Sequence, residues 1–159
     1  MTVNPAQNVD PELLPKAEFA FPGPLRDRLV AAILDGSKTA TTGLLAGYEH
    51  DGEPLPSIGE RSVVVDSDDR PVAVIEVTDV RVVPLHEVGI AHAVDEGEGC
   101  TTVDGWRAGH EEFWHSEEAR RALGDPHFTV HDATPVVLER FRVVARLHGM
   151  SNHYCAPCR

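Results

Sequence analysis

Lys38 is the residue whose type and position most clearly suggest a chemical role in this sequence. The chain has 14 basic residues, of which only Lys16 and Lys38 are lysines. Burial lowers the pKa of a lysine, so its amine can serve as a base, whereas an arginine stays protonated. Such a base would activate the hydroxyl of Thr39 or Thr41 as a nucleophile. The residues alone explain segment 36–42 equally well as the polar end of a helix.

A second group of polar residues lies at 92–98, where carboxylates are followed by glycines. A carboxylate such as Glu96, near the end of a helix and beside Gly97, can project into a pocket. A solvated acidic helix end is the simpler explanation of the same residues. The zinc deaminase signature is absent, because it has a glutamate two residues after its histidine, and here Val94 follows His92 at that position.

The segment 106–115 resembles the zinc-binding helix of a metalloprotease only in composition. His110 and His115 are five residues apart, so on a helix they point more than about 100° away from each other. A metalloprotease helix has histidines four residues apart, and this class of enzyme is therefore excluded. Trp106 and His110 share one helix face and would line a site there, although packing in the core also explains Trp106.

The three cysteines do not predict a disulfide framework. Cys155 and Cys158 form a Cys-x-x-Cys pair near the end of the sequence, after His153, and Cys100 stands alone. This spacing suits a metal ion or a redox pair, but a structural zinc site normally has four ligands. We therefore expect a solvated tail at 149–159, no metal site and no cofactor.

The elements that must position these residues are those of a mixed α+β domain. Apolar residues recur every four positions from Leu25 to Ile33, which predicts a helix that ends at Gly36. Two valine-rich segments, 61–66 and 72–83, predict a hairpin. The other predicted elements are a long loop at 43–59, helices at 86–96 and 104–123, and strands at 128–131 and 136–147.

Length, composition and charge limit the class of protein further. The chain has 159 residues, 42% of them hydrophobic, which is typical of one globular domain. We expect an N-terminal arm at 1–22 and the domain at 23–148. A net charge of −12 disfavours non-specific binding of phosphate polymers, and no DNA partner is expected. No apolar stretch predicts a membrane span and no signal peptide is evident, so we expect a cytoplasmic location.

The order of these motifs resembles the ASCH family, within the PUA-like superfamily. The matching residues are Lys38 and Thr41, spaced as Lys-x-x-Thr, and His92, Ala93 and Glu96, spaced as His-Ala-x-x-Glu. The segments Trp-Arg-Ala-Gly-His at 106–110 and Leu-Glu-Arg-Phe at 138–141 resemble the longer bacterial members. The similarity extends over 25–147 and implies a small β-barrel of about five to six strands, flanked by helices.

One branch of this family removes the acetyl group of N4-acetylcytidine. The resemblance implies amide hydrolysis of an N4-acylated cytidine or a related modified nucleoside, with Lys38, Thr41 and Glu96 as catalytic residues. The residues expected to bind the substrate are Thr42, Gly43, Tyr48, His92, Glu98, Trp106 and His110. That branch often has an arginine where Gly43 stands. Either the arginine that anchors the substrate is missing from this chain, or Arg107 or Arg142 replaces it.

The same resemblance leaves two other functions open. Another branch of the family is associated with RNA binding and RNA cleavage, and Arg140, Arg142 and Arg146 alternate along the last strand, where they would meet phosphates. A third hypothesis is a sensor that binds a modified base without reacting with it. The expected partner is thus a modified nucleoside or RNA, and the oligomeric state is not predicted.

Overall fold

The computed structural model of the protein describes residues 10–147. Its helices and strands, in chain order, are β1 (Lys16–Ala17), α1 (Pro24–Asp35), β2 (Ala40–Leu44), α2 (Leu45–Asp51), β3 (Arg61–Val65), β4 (Pro71–Pro84), α3 (Ile90–Asp95), α4 (Val103–Trp114), α5 (Glu117–Leu123) and β5 (Pro135–Arg146). None of these helices has the length and hydrophobicity needed to cross a bilayer. The predicted tail, with Cys155 and Cys158, lies outside the described residues.

The five strands form one sheet in the order β1-β3-β4-β5-β2. Neighbouring strands are antiparallel except β1, which runs parallel to β3. The pairing of β4 with β5 shifts at Val74/Ile75 and at Val77/Asp79, and such β-bulges increase the local twist. The sheet therefore curls into a half-barrel, which confirms the expected α+β, PUA-like fold.

Helix α1 forms where the sequence predicts it and determines where the site begins. Pro24 occupies the first helical position. Gly36 follows the helix with a left-handed φ of 87° and donates its N–H to the carbonyl of Ile33. Ile33 is fully buried in a cluster with Phe141 of β5. The helix thus ends at Asp35, three residues before Lys38.

A second apolar cluster lies around Trp106 of α4. It includes Val136 and Leu138 of β5, whereas Phe141 belongs to the α1 cluster. Side chains alternate between the two faces of a strand, so even- and odd-numbered residues of this part of β5 face opposite sides. The two clusters therefore contact opposite faces of β5.

The structure differs from the predicted elements in four places. The predicted helix at 86–96 is a 3-10 turn at Leu85–Glu87 followed by α3, because Gly89 interrupts it. The predicted helix at 104–123 is divided into α4 and α5 at Ser116, whose hydroxyl caps α5 by accepting the N–H of Ala119. Residues 128–131 form no strand, and the predicted loop at 43–59 contains the end of β2 and helix α2.

The predicted N-terminal arm is described from residue 10 onward. Within it, β1 pairs with β3 at the edge of the sheet. Phe19 is buried against Phe141, with ring centroids 5.8 Å apart. The described part of this segment therefore contributes to the sheet and to the core around α1.

Candidate active site

The chain segment between α1 and β2 is bound to the end of α3. The N–H of Thr39 donates to the carbonyl of Asp95 at 2.8 Å. Gly97 has a φ of 72°, and a Cβ added to it would lie 2.8 Å from the backbone of Lys38. Only a glycine allows this close approach, because both the backbone conformation and the space exclude a side chain. The contact brings Lys38 and Glu96 together.

The Lys38 side chain is buried, with 2% of its surface exposed. Its Nζ donates to the carbonyl oxygens of Ala40 at 2.8 Å and of Glu96 at 3.2 Å. The Glu96 carboxylate oxygen Oε1 lies 3.8 Å from the same nitrogen. Burial lowers the pKa of Lys38 below its ordinary value, and the carboxylates of Glu96, Glu98 and Glu139 offset part of this effect. The site therefore holds a buried amine whose neutral fraction is enlarged.

Glu96 is also buried, and donors surround its carboxylate. Thr42 donates to Oε2 at 3.1 Å, His110 donates to Oε1 at 3.2 Å, and the Trp106 indole N–H donates to Oε2. His92 Nε2 lies 3.5 Å from Oε2. Burial alone would raise the pKa of Glu96, but the hydrogen bonds from His110 and His92 and the nearby positive charges hold it well below its usual value. Glu96 is therefore a carboxylate at neutral pH.

The hydrogen-bond partners of His110 assign a proton to both ring nitrogens. Nδ1 lies 2.9 Å from the carbonyl of Trp106, and Nε2 faces the Glu96 carboxylate. Both partners can only accept, so both nitrogens donate. Burial lowers the pKa of His110, but the hydrogen bond to Glu96 and its charge raise it more, and the net shift is upward. His110, stacked on the Trp106 ring at 4.2 Å between centroids, is thus a cation that balances Glu96.

Thr42 and His92 complete the network behind Glu96. The one hydroxyl proton of Thr42 is donated to Glu96. His92 Nε2 lies 2.8 Å from the same hydroxyl oxygen, so this nitrogen must carry the proton that the two atoms share. His92 is therefore a donor in this arrangement and does not withdraw a proton from Thr42. The Thr42 hydroxyl is held in place rather than activated.

Thr41 lies on the opposite face of β2 from Thr42. In the antiparallel pairing of β2 with β5, Thr42 is opposite Leu138 and Thr41 is opposite Glu139. Directly opposed residues share a face of the sheet, and neighbours along a strand alternate between faces. The predicted nucleophile thus faces away from the Thr42–His92 hydrogen bond and toward Glu139.

The other residues expected to bind substrate lie around this network. Gly43 lies against the Tyr48 ring, where an added Cβ would be 3.3 Å from Cε2. An arginine in place of Gly43 would have to displace this ring. Glu98 is exposed, and its carboxylate, a Glu96 oxygen and a His110 nitrogen all lie within 4.8 Å of one another. A metal ion bound there would have to replace the proton that His110 donates to Glu96.

The arginines expected to contact anionic ligands are each bound to acceptors of the protein itself. These acceptors are Glu111 and Asp132 for Arg107, Asp95 for Arg140, Glu76 for Arg142 and the Leu34 carbonyl for Arg146. Arg107 and Arg140 are therefore paired with carboxylates, whereas Arg142 shares Glu76 with Arg61 and Arg146 is bound to a neutral carbonyl.

A cleft of about 260 Å³ adjoins the network at Glu98. Leu25, Arg28 and Leu29 of α1 line one side, and Gly97 and Glu98 line the other. The cleft therefore borders the turn that brings Glu96 to Lys38.

One candidate residue, Glu139, lies in the Leu-Glu-Arg-Phe segment 138–141, but the sequence analysis assigns it no chemical role. It is half-buried on β5, on the same face as the buried Val137 and Phe141. Burial, together with the charge of Glu60, raises the pKa of Glu139 to about 7, although the charge of Lys38 opposes this shift. The signal in the sequence is a carboxylate at an inward position of a strand otherwise built from Val, Leu and Phe.

The curled five-stranded sheet with its flanking helices places the protein in the PUA-like class of α+β domains. A family model described as the ASCH domain matches residues 18–145. The chain belongs to the ASCH domain family, as the resemblance of its motifs implies.

Solved structures support this assignment. A protein from Enterococcus faecalis is 26% identical, with a TM-score of 0.67 over 83% of this chain and 75% of that one. An ASCH domain from Lactobacillus crispatus is 28% identical, with a TM-score of 0.66 over 82% of this chain and 80% of that one. A mutant ASCH protein from Zymomonas mobilis is 9% identical, with a TM-score of 0.51 over 84% of this chain and 71% of that one. This likeness shows the fold alone. No curated protein matches this chain significantly.

Proposed function

We propose that this protein hydrolyses the amide bond of an N4-acylated cytidine or a related modified nucleoside, with Lys38, Thr41 and Glu96 as its catalytic residues. The observation that carries the proposal is the buried amine of Lys38, just before β2. This amine lies 3.8 Å from the carboxylate of Glu96. Membership of the ASCH domain family is compatible with hydrolysis and with RNA binding. The arrangement of charges favours hydrolysis.

Lys38 is the base of the first step. Its Nζ donates to the carbonyl of Ala40, which is bonded to the nitrogen of Thr41, so the amine adjoins the nucleophile's backbone. In its neutral form, Lys38 takes the proton of the Thr41 hydroxyl, and Thr41 Oγ1 bonds to the acyl carbon. The C–N bond then breaks, the amine leaves, and water hydrolyses the ester formed on Thr41.

A carboxylate at position 96 is compatible with two roles: it orients Lys38, or it relays a proton to the departing amine. We assign Glu96 the role of orienting Lys38. A group that remains a carboxylate at neutral pH cannot donate a proton there. Glu96 instead holds Lys38 through both its carbonyl and its carboxylate. The charge of His110 balances that of Glu96, so Glu96 raises the pKa of Lys38 less than an isolated carboxylate would.

A small neutral substrate suits the electrostatics better than an RNA polymer. A nucleoside has no phosphate, so a net charge of −12 does not repel it. The alternating arginines of β5 would supply phosphate contacts, but Asp95 and Glu76 already bind Arg140 and Arg142. We therefore place RNA binding second.

Hydrolysis of N4-acetylcytidine, followed by liquid chromatography, tests the proposal. The variants are Lys38→Met and Thr41→Val, which remove the base and the nucleophile at nearly constant volume. Lys16→Met is the matched lysine control, because Lys16 is 53% exposed and pairs with Asp69 at the surface. Thr42→Val is the matched threonine comparison.

We expect wild type and Lys16→Met to release cytidine, Lys38→Met and Thr41→Val to release none, and Thr42→Val to be slowed but active. Wild-type protein that is inert with a panel of acylated cytidines would refute the proposal. RNA affinity that falls steeply with added salt would then identify an RNA-binding domain. Nucleoside binding without turnover would identify a sensor.

A further inference from the structure

Amide hydrolysis requires a proton for the departing nitrogen, and the protons of the network around Glu96 are already held in hydrogen bonds within it. Glu96 is a carboxylate at neutral pH. His110 has both of its protons committed, one to the carbonyl of Trp106 and one to Glu96. The Lys38 ammonium formed in the first step directs its hydrogens to the carbonyls of Ala40 and Glu96 and toward the Glu96 carboxylate. A proton donor outside this network would leave these hydrogen bonds in place.

Glu139 lies beside the proposed nucleophile on the adjacent strand. Thr41 of β2 and Glu139 of β5 are directly opposed, so their side chains share one face of the sheet. Cβ atoms in such pairs are about 5 Å apart. This is the face away from Thr42 and its hydrogen bond to Glu96. The Glu139 carboxyl is thus placed to reach an acyl group bonded to Thr41.

Lys38 reaches the same face from the edge of β2. Its Nζ is 3.8 Å from Glu96 and 5.8 Å from the centre of the Phe19 ring. Phe19 packs against Phe141, which lies on the Glu139 face of β5. The amine therefore neighbours Glu96 on one side and Phe19 on the other, and its charge interacts with that of Glu139.

The surroundings of Glu139 allow it to gain and lose a proton. Within residues 10–147 no hydrogen bond to its carboxyl is present, and no buried side-chain oxygen there lacks a partner, so this carboxyl is open to solvent. The charged and titratable groups facing it are Lys38, Tyr48 of α2 and Glu60, with Glu53 beyond Tyr48. Burial and Glu60 raise the pKa of Glu139 to about 7. Burial and the charges of Glu139, Glu53 and Glu60 raise the pKa of Tyr48 to about 12, so the phenol keeps its proton.

We propose that Glu139 is the general acid of the hydrolysis, an inference that rests on the proposed function. When the C–N bond breaks, its electron pair stays on the nitrogen, which takes a proton from Glu139. A water molecule then gives a proton to the Glu139 carboxylate while its oxygen bonds to the acyl carbon. The bond to Thr41 Oγ1 breaks, and Lys38 returns the proton to that oxygen. One water is consumed, and a carboxylic acid and a free amine are released.

The test compares two substrates with wild type and Glu139→Gln. N4-Acetylcytidine has a leaving group that needs a proton, whereas 4-nitrophenyl acetate releases 4-nitrophenolate without one. We expect Glu139→Gln to lose about 10²- to 10⁴-fold in hydrolysis of the amide, the range of general acid catalysis. It should keep the initial burst of 4-nitrophenolate, because this burst reports acylation of Thr41 by the ester and not the later hydrolysis of the acetyl group. The fall of wild-type kcat/KM above pH about 7 should disappear in the variant.

Glu60→Gln is the matched control, because it removes a neighbouring charge and keeps Glu139. It should shift the alkaline fall of kcat/KM to lower pH without abolishing hydrolysis. Equal loss on both substrates in a folded Glu139→Gln variant would show that Glu139 has a structural role. An unchanged amide rate and pH profile would show that Lys38, and not Glu139, gives the proton to the departing nitrogen. Either result overturns the inference and leaves the proposed function standing. Wild type without amide activity would refute both.

Discussion

Replacing Lys38 with methionine measures how much the buried pair of Lys38 and Glu96 contributes to the free energy of unfolding. Methionine keeps most of the side-chain volume but removes the amine. The carbonyls of Ala40 and Glu96 then lose a donor, and the Glu96 carboxylate loses one of its two balancing cations. Each buried acceptor left without a partner costs about 1–3 kcal/mol. Breaking a buried ion pair from one side costs about 3–5 kcal/mol in total.

Urea unfolding, followed by the fluorescence of Trp106 and Trp114, measures this cost. We expect Lys38→Met to lower the free energy of unfolding by about 3 kcal/mol or more. Lys16→Met should lower it by no more than about 1 kcal/mol, because exposed ion pairs contribute little. The Lys16–Asp69 pair is short, at 2.7 Å, but its side chains are 53% and 61% exposed. The two lysines therefore separate the effect of burial from the effect of charge.

A double variant, Lys38→Met with Glu96→Gln, tests whether the two residues act on each other. The charges face each other in a buried site, so the two costs should not add, and the coupling should be about 0.5–3 kcal/mol. If Lys38→Met were as stable as Lys16→Met, or if the costs of the double variant simply added, the reasoning from the buried pair would be refuted.

Three further predictions follow from individual contacts. Gly97→Ala should destabilise the protein by more than about 1 kcal/mol in urea unfolding, because φ is 72° and the new Cβ would lie 2.8 Å from the Lys38 backbone. Gly109→Ala, inside α4 with no atom within 4 Å, should instead stabilise it by up to about 1 kcal/mol. Glu139→Gln should become more stable relative to wild type as the pH rises from 4.5 to about 7, because in this range the unfolded chain loses the carboxyl proton of Glu139 while the folded protein keeps it. A difference that does not grow with pH contradicts the burial of this carboxyl. His110 stabilises the fold below its ordinary pKa of 6.5, and this contribution is lost as the pH rises through the raised value. Thermal unfolding against pH should show that loss in wild type and not in His110→Phe.

Local patterns are sufficient to predict α1 and the hairpin of β3 and β4. The four-residue repeat from Leu25 and the glycine after Asp35 reflect short-range rules of helix packing and helix ends. The division of the helix at Ser116 could not be predicted, because a serine within a polar segment caps a helix only if packing turns the chain there. The same holds for Gly89, which separates the 3-10 turn from α3.

The candidate site was predictable as a set of motifs but not as a geometry. The motifs selected Lys38, Glu96 and His110, and the structure brings these side chains into one network; their catalytic roles stay predictions. The face of β2 that carries Thr41 depends on the register with β5, a strand far away in the sequence. Glu139 was missed for the same reason, since its importance comes from the residue opposite it rather than from its neighbours in the chain.

The most direct test of the central claim is to locate the acyl group during turnover. Wild-type protein is mixed with N4-acetylcytidine, quenched with acid after short times, digested with protease and examined by mass spectrometry. We expect an acetyl group on Thr41 in wild type and in Lys16→Met, and none in Lys38→Met. An acetyl group on Thr42, or cytidine release in Lys38→Met at the wild-type rate, would contradict it.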